Sequence, residues 1–576
     1  MPDGRTPWAS LPAMMLGIAA DRPDRPMLTH WRDGTWQTMR WGDFAIEVAR
    51  CAAWLRAAGL APGDRVLLVS ENRPEFLIAD VALMAVGAVT VPTYVTNTPA
   101  DHAHILRDSG ARAAIVSTAA LARRVLDGAA GAAGLDLLLC MDEASPSAEG
   151  LRTATWADVA AMPADVAMLA AEAEQIPSGR LACLIYTSGT GGSPKGVMLP
   201  HRAMLANREG LRPLIRQLDV DGKPYLSFLP MSHSYEHTVG GFLLPSFGMQ
   251  TVYSRGAERL AAEMAEFKPA IITAVPRLFE VLRTRILAQV EKDGGLKRTL
   301  FERALALGLR RMDGPPLGLL ERVQDAVLDR LVRDKIRARF GGGIQALVSG
   351  GARLDPDLSG FFLALGLPVI QGYGQSEAGP VISVNLPWAN DRRTVGAPLP
   401  GVTVRIAEDG EILVSGPLVM DGYWNNPDAT EAALRPPAGE DAPWLHTGDV
   451  GRLDENGRLV ITDRKRDFIK LLGGDMVAPS KLESLLMGEP EVAQAVAAGE
   501  GMAGVVALLV AAEGQADSLA AAVARVNARL SPIERIRRWA PLAEPFTVEN
   551  GLLTPTMKVK RRMVIEKYRA EISALG

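Results

Sequence analysis

The 576-residue chain predicts an α/β protein with a large N-terminal domain, built of α/β subdomains plus a β-rich subdomain, and a small α+β C-terminal domain. Three observations predict it. Through the first half, apolar runs of strand length alternate with Ala/Leu-rich stretches at helical spacing, the pattern of a layered α/β fold. From Val404 onward, short strand-like pieces separated by turn residues take over. At Asp463-Arg-Lys-Arg466 a charged, loop-like junction precedes a closing segment of mixed character, which suits a boundary between residues 1–463 and 464–576.

The elements follow in order. Arg65-Val-Leu-Leu-Val-Ser70, Ala88-Val-Thr-Val91 and Ala113-Ala-Ile-Val-Ser117 read as strands. The long apolar stretch from Phe76 to Val95 holds Asp80 and ends in Val91-Pro92, so a buried helix running into a buried strand fits better than a membrane span. From Pro276 to Phe340 the chain reads as helical and rich in arginine, interrupted at Gly294-Gly295 and Gly314-Pro-Pro-Leu-Gly318. Solvated helix faces account for the arginines, with a membrane-surface role as the second reading. Gly410-Glu-Ile-Leu-Val-Ser415 and Asp454-Glu-Asn-Gly457-Arg-Leu-Val-Ile461 read as short strands with turns.

Composition narrows the function. The length exceeds what one hydrophobic core supports, so roughly two to four domains are expected. A net charge of −4 and few aromatics supply neither the basic field nor the stacking platform that nucleic acid needs. Cys51, Cys140 and Cys183 lack metal or disulfide spacing, pointing to a reducing, cytoplasmic setting. The N-terminus lacks the pattern of a signal peptide.

Several motifs carry chemistry. After the strand-like Leu181 to Tyr186 comes Tyr186-Thr-Ser-Gly-Thr-Gly-Gly-Ser-Pro-Lys195-Gly196, a phosphate cradle: Ser188, Thr190 and Ser193 supply hydroxyls, the glycines bare backbone N–H groups, and Lys195 a positive charge. It is neither a Walker A motif nor GxGxxG, and alone it reads equally as a surface turn. Ser349-Gly-Gly-Ala-Arg-Leu354 and Gln371-Gly-Tyr-Gly-Gln-Ser-Glu377-Ala-Gly379 read as tight turns beside strands. An aromatic among glycines can lie against a purine, Ser376 can bond a phosphate or acyl oxygen, and Glu377 offers the hard oxygen magnesium prefers. Gly374-Gln-Ser376-Glu-Ala378 approaches a nucleophile elbow but has Ala378 in place of the last glycine, so a serine hydrolase is a rival reading. His233 and His237 lack a third ligand at metal spacing, as do His102 and His104, and a pocket wall suits the first pair better. Thr447-Gly-Asp449 ends a Trp-containing strand-like run, and its carboxylate suits the hydroxyls of a ribose. In Leu472-Gly-Gly-Asp475-Met476 the methionine stands where a carrier protein's modified serine would be, which excludes that role. Thr554-Pro-Thr-Met-Lys558 to Arg562 alone reads as a solvated basic tail.

Taken in order, these segments resemble the adenylate-forming (AMP-binding) superfamily of acyl-CoA synthetases, peptide-synthetase adenylation modules and luciferases, from about Trp41 to Lys567. Val275-Pro-Arg-Leu-Phe-Glu280, Gly294-Gly-Leu-Lys297 and Asn550-Gly-Leu-Leu-Thr-Pro-Thr-Met-Lys558 are similar to long-chain fatty acyl-CoA synthetases. The resemblance implies activation of a medium- or long-chain fatty acid with ATP and Mg²⁺ to an acyl-adenylate, then transfer to CoA. It places Thr187, Ser188, Gly189, Thr190, Gly191, Gly192 and Lys195 around the phosphates, and Thr190 and Glu377 on the metal. Gly350, Gly351, Ala352, Arg353, Gln371, Gly372, Tyr373 and Gly374 would line the adenine, with Ser376 near the α-phosphate. Asp449 and Arg464 would hold the ribose, Lys558 would bridge the carboxylate and the ribose ring oxygen, and His233 would gate the acyl pocket. Arg466 matches the hinge of a mobile C-terminal domain, and Lys470, Gly473 and Gly474 match residues of the CoA-using half-reaction. Gly191 and Ser376 both stand where the family usually has threonine. The implied partners are the fatty acid, ATP and CoA, with peripheral association at the inner face of a membrane as a further expectation. Two alternatives stay open: an adenylate ligase delivering to a carrier protein or amine, and a non-catalytic nucleotide-binding homologue.

Overall fold

The computed structural model describes residues 8–130, 134–142, 146–187, 193–437, 439–554 and 557–576. Among these, the strands Arg152–Thr155, Leu137–Cys140, Ala113–Val116, Arg65–Val69, Val89–Thr93 and Leu181–Thr187 lie side by side in that order, all parallel, and Lys195–Pro200 adds an antiparallel edge. The inner strands are apolar without alternation because both faces are covered. Helix Pro74–Ala85 is buried along its whole length and runs into Val89–Thr93, as its sequence predicts. Of its two buried acids, Glu75 and Asp80, the deeper Asp80 lies 2.9 Å from His237 Nε2, since a polar group so deep needs a polar neighbour.

A second, nine-stranded sheet has a parallel centre of Val369–Gly374, Ala346–Ser349, Ile271–Ala274, Pro224–Ser227, Gln250–Tyr253 and Pro26–Arg32. Val381–Val384 with Ala397–Pro398, and Thr35–Arg40, close its two edges antiparallel. In an open parallel sheet the crevice beyond the carboxyl ends of the strands is the natural ligand site, and the motifs at Gly350 and Ser376 lie there. Gln371–Gly374 is strand rather than the tight turn its glycines suggest. Gly374 belongs in the strand because its neighbour comes too close for any side chain: a Cβ there would meet Pro380 O at 1.8 Å.

Helices Pro276–Asp293, Gly295–Asp313 and Leu319–Leu328 break at the two predicted glycine sites. One arginine departs from the solvated-face reading. Arg333 is fully buried, with Nε donating to Ala364 O (2.7 Å) and Nη2 to Ala304 O (2.7 Å) and Asp325 Oδ1 (2.6 Å); its planar fork satisfies several carbonyls at once.

The β-rich part pairs Thr403–Ile406, Glu411–Ser415, Trp444–Leu453 and Leu459–Arg464 antiparallel. Asp449 sits inside the strand Trp444–Leu453, not at its end; the register shifts between Val450 and Gly451, so a bulge stands where the sequence suggests termination. In the closing segment, Val492–Ala498, Val505–Ala511 and Ile536–Leu542 form a sheet with an apolar cluster on each face. Both clusters draw on residues from Ile469 onward, while the main core ends at Leu459, so this segment has a core of its own. Among the described residues no helix is long and apolar enough to cross a membrane.

Candidate active site

A cleft of about 2910 Å³ opens between the carboxyl ends of the sheets, the β-rich part and the segment 548–566. That exceeds the volume of a pocket for one small ligand several-fold, which leaves room for more than one reactant. Thr187 and Lys195 line it, held opposite one another as strand partners across the phosphate-loop motif. Ser188, Gly189, Thr190, Gly191 and Gly192 lie outside the described residues. The flanks of the motif are tied to the body of the protein: the Tyr186 hydroxyl donates to Asp108 Oδ2 (2.6 Å), His104 Nε2 meets Pro194 O (2.8 Å), and Trp424 N–H donates to Gly196 O (2.8 Å).

Lys195 Nζ stands 4.9 Å from the centre of the Tyr423 ring, whose hydroxyl donates to Glu377 Oε1 (2.8 Å). Tyr423 thus joins the two charged residues that the sequence singles out, a role its local pattern does not reveal. Glu377 is half-buried and faces the cleft. One carboxylate fits a Mg²⁺ carried in on phosphate oxygens, which takes one or two protein oxygens and keeps the rest as phosphate or water; among the described residues no group of three or more His, Cys, Asp or Glu is placed to hold a resident ion.

Asp449 and Arg464 are strand partners, with Arg464 Nε 3.5 Å from Asp449 Oδ1. The Tyr373 hydroxyl donates to Asp449 Oδ2 (2.6 Å). Burial raises the Asp449 carboxyl, and Arg464 and the Tyr373 bond oppose it, so the three form one coupled unit. Gly351 has φ +78°, a left-handed conformation natural to glycine. Lys558 Nζ reaches within 3.8 Å of where a Cβ on Gly351 would stand, which brings the closing segment against this turn. Gly350, Ala352, Arg353, Gly372 and Gly374 also line the cleft. Gln371 lines it as well, but its side chain is committed to the backbone: Nε2 donates to Arg392 O (3.0 Å) and Oε1 accepts from Leu354 N–H (3.3 Å).

Ser376 Oγ is 2.7 Å from Ser234 Oγ, a hydroxyl partner rather than the imidazole a serine nucleophile needs. His233 lines the cleft, and its Nδ1 accepts from Tyr235 N–H (3.2 Å). Burial, with the nearby Lys558 charge, lowers its pKa to about 3, so the ring is neutral at pH 7. Lys558 itself is lowered to about 8, first by burial and then by Arg464, with Asp449 and Glu377 opposing. Arg466 lines the cleft. Lys470, Gly473 and Gly474 do not: all three are exposed, and Lys470 N–H donates to Glu500 Oε2 (2.9 Å).

A second chemistry-bearing group lies beneath the His233 turn. The fully buried Glu236 accepts from Tyr225 and Ser227 hydroxyls on Oε1 (2.6 Å each) and from Thr273 on Oε2 (2.9 Å). From Thr273 an apolar branch of the cleft runs along one face of the nine-stranded sheet, past Ile271, Val348 and Ile370, with Leu214, Val239 and Leu243 opposite. Ile271 and Thr273 share a face because strand side chains alternate.

The family model described as "AMP-binding enzyme" matches residues 18–424, and that described as "AMP-binding enzyme C-terminal domain" matches residues 466–575. The chain belongs to the AMP-binding enzyme family. Its similar relatives include the long-chain-fatty-acid–CoA ligase FadD15 of Mycobacterium tuberculosis, 35% identical over 98% of this chain and 96% of the relative. Another is the long-chain-fatty-acid–CoA ligase 6 of Homo sapiens, 30% identical over 88% of this chain and 77% of the relative. Among solved structures, the A-PCP didomain of carboxylic acid reductase from Segniliparus rugosus in complex with AMP superposes with a TM-score of 0.75 at 19% identity, covering 99% of this chain and 82% of that one. That likeness speaks to the fold.

Proposed function

We propose that the protein is an AMP-forming acyl-CoA ligase that activates a medium- or long-chain fatty acid with ATP and passes the acyl group to CoA. The observation that carries the reading is the convergence of Lys558, from the closing segment, on a cleft that also presents Lys195, Glu377 and the Tyr373–Asp449–Arg464 unit. The apolar branch beside it suits an acyl chain, and the name of the mycobacterial relative, a long-chain-fatty-acid–CoA ligase, supports the same substrate class.

In the first step a carboxylate oxygen attacks the α-phosphorus and pyrophosphate leaves in line. Both reactants are anions, so charge must be neutralised and the reacting atoms aligned. Lys195 and the loop hydroxyls take the β- and γ-phosphates, Lys558 the attacking carboxylate and the ribose ring oxygen, and Ser376 an α-phosphate oxygen. Asp449 accepts from the ribose hydroxyls, with Arg464 beside it. Tyr373 lies against the adenine with the Gly350–Arg353 turn, and Gln371 holds that turn through Leu354. Glu377 would hold a Mg²⁺ arriving with the phosphates, and that ion would supply charge neutralisation for the pyrophosphate leaving group. Neutral His233 adds no positive charge to the acyl entrance.

In the second step the CoA sulfur attacks the acyl carbon and AMP leaves with the carboxylate oxygen. The domain division at residues 463 and 464 serves this step. The C-terminal domain turns about Arg466, withdrawing Lys558 and bringing Lys470, Gly473 and Gly474 to the cleft, so one site serves two reactions by gating. The test is pyrophosphate release with Mg-ATP and carboxylic acids from acetate to oleate, with and without CoA, with products read by mass spectrometry. Acyl-CoA formed only with ATP and CoA is expected; adenylate without thioester would assign another acceptor, and no pyrophosphate with any acid would overturn the reading.

A further inference from the structure

Helix Leu319–Leu328 continues without interruption through the turn Asp329–Arg333 into Asp334–Arg339. Its inner face is buried through Asp325, Leu328, Arg333 and Ile336. Its outer face is unusual. Leu319 (82% exposed), Leu320 (87%), Val323 (65%), Val327 (50%) and Leu331 (48%) stand open to solvent. Four of the five recur every four residues, so they make one continuous stripe along the helix. Single exposed leucines need no explanation, but a contiguous apolar stripe marks a contact surface.

Charge says what covers it. Residues 276–340 hold 15 Lys and Arg against 9 Asp and Glu, a net +6, whereas the rest of the chain sums to −10. On the helix the acids are already engaged: Glu321 with Arg310, Asp325 with Arg333 and Arg311, and Asp329 and Asp334 with Arg337. Arg322, Arg330 and Lys335 are exposed beside the apolar stripe. A basic amphipathic helix of this composition suits the plane of an anionic bilayer, with its apolar side chains at the acyl boundary and its cations at the headgroups. A second copy of the chain fits less well, because an isologous contact would bring two such basic segments together.

We propose that the helix 319–339 docks the protein on anionic lipid surfaces, Leu319, Leu320, Val323, Val327 and Leu331 entering the interface and Arg322, Arg330 and Lys335 meeting phosphate headgroups. This surface is separate from the cleft residues assigned above, and vesicle binding tests it directly; only the fold control below rests on the ligase reading.

The test is co-sedimentation of the full chain with vesicles of phosphatidylcholine alone and of phosphatidylcholine with phosphatidylglycerol at three to one. The wild type is expected to pellet with the anionic vesicles, to pellet at least tenfold less with the neutral ones, and to be released by high salt. Leu319→Glu with Leu320→Glu should lower the bound fraction at least tenfold; both positions are open to solvent, so pyrophosphate release with a short, water-soluble acid should stay unchanged and report an intact fold. Arg330→Glu with Lys335→Glu should abolish the preference for anionic lipid while leaving that release unchanged. Protein that stays in the supernatant with both vesicles overturns the proposal. So does equal binding to both, or sedimentation velocity showing, without lipid, a dimer that the leucine variants dissociate, since a second copy would then cover the stripe.

Discussion

Lys558 is the residue whose loss should cost most in the first half-reaction. Its ammonium is half-buried in the cleft, beside the Gly351 turn, and its pKa is lowered to about 8. Replacing it with glutamine removes the cation proposed to meet the attacking carboxylate. A lost donor of this kind costs about 10²–10³ in rate, or about 2.7–4 kcal/mol. The lowered pKa adds a second, independent signature. A lysine with pKa near 8 is about nine-tenths charged at pH 7 and about one-tenth charged at pH 9. With the charged form as the working one in the proposed mechanism, kcat/KM for adenylation should fall as pH rises through 8, approaching about tenfold per unit; this parameter reports the free enzyme, where the lowered value applies. Lys558→Arg keeps a charge that does not titrate in this range, so its profile should stay flat to above pH 9 even if its rate is lower. The assay is pyrophosphate release over pH 6.5–9.5 for the wild type, Lys558→Gln and Lys558→Arg. A Lys558→Gln rate within about threefold of wild type, or a wild-type profile that matches Lys558→Arg above pH 8, would refute the reasoning.

Two further predictions rest on other contacts. Tyr373→Phe keeps the ring but removes the 2.6 Å bond to Asp449, so ATP affinity should weaken by about tenfold, or about 1.4 kcal/mol, with KM for the fatty acid unchanged; a titration of ATP binding checks it. Glu236 is raised to about 7, burial outweighing its three hydroxyl donors. The folded protein therefore holds the proton more tightly than the unfolded chain, and stability should fall as pH rises from about 4.5 to about 7. Glu236→Gln should flatten that dependence in denaturant-midpoint measurements, and Glu236→Ala should cost about 1–3 kcal/mol for each hydroxyl left without its acceptor.

What the sequence makes legible here is local. The helix-to-strand run at Phe76–Val95, the breaks at Gly294 and Gly314, and the strand into Thr187 all follow from apolar run length and from glycine and proline placement, which act over a few residues. The site is only partly local. Lys195, Glu377, Asp449, Arg464 and Lys558 stand out because each is a charged residue in a motif matching a known family, and all five meet in one cleft. Tyr423 and Ser234 do not stand out, since their partners are distant in sequence: Tyr423 meets Glu377 46 residues away, and Ser234 meets Ser376 142 residues away. Periodicity carries no information about such pairs. Glycines mislead in the opposite direction. Gln371–Gly374 and Thr447–Asp449 read as turns, yet both lie in strands, one through close approach of a neighbouring backbone and one through a bulge. Lys470 and Gly473-Gly474 lie away from the cleft while Lys558 lies in it, an arrangement suited to the adenylation half of the proposed cycle.

The central claim is that the acid's own oxygen attacks the α-phosphorus. The most direct measurement uses dodecanoate labelled with ¹⁸O in both carboxylate positions, with Mg-ATP and CoA, and mass spectrometry of every phosphorus-containing product. The account predicts AMP carrying one ¹⁸O, pyrophosphate carrying none, and dodecanoyl-CoA keeping the other. Label in inorganic phosphate with ADP as co-product, or thioester formed with unlabelled AMP, would contradict it.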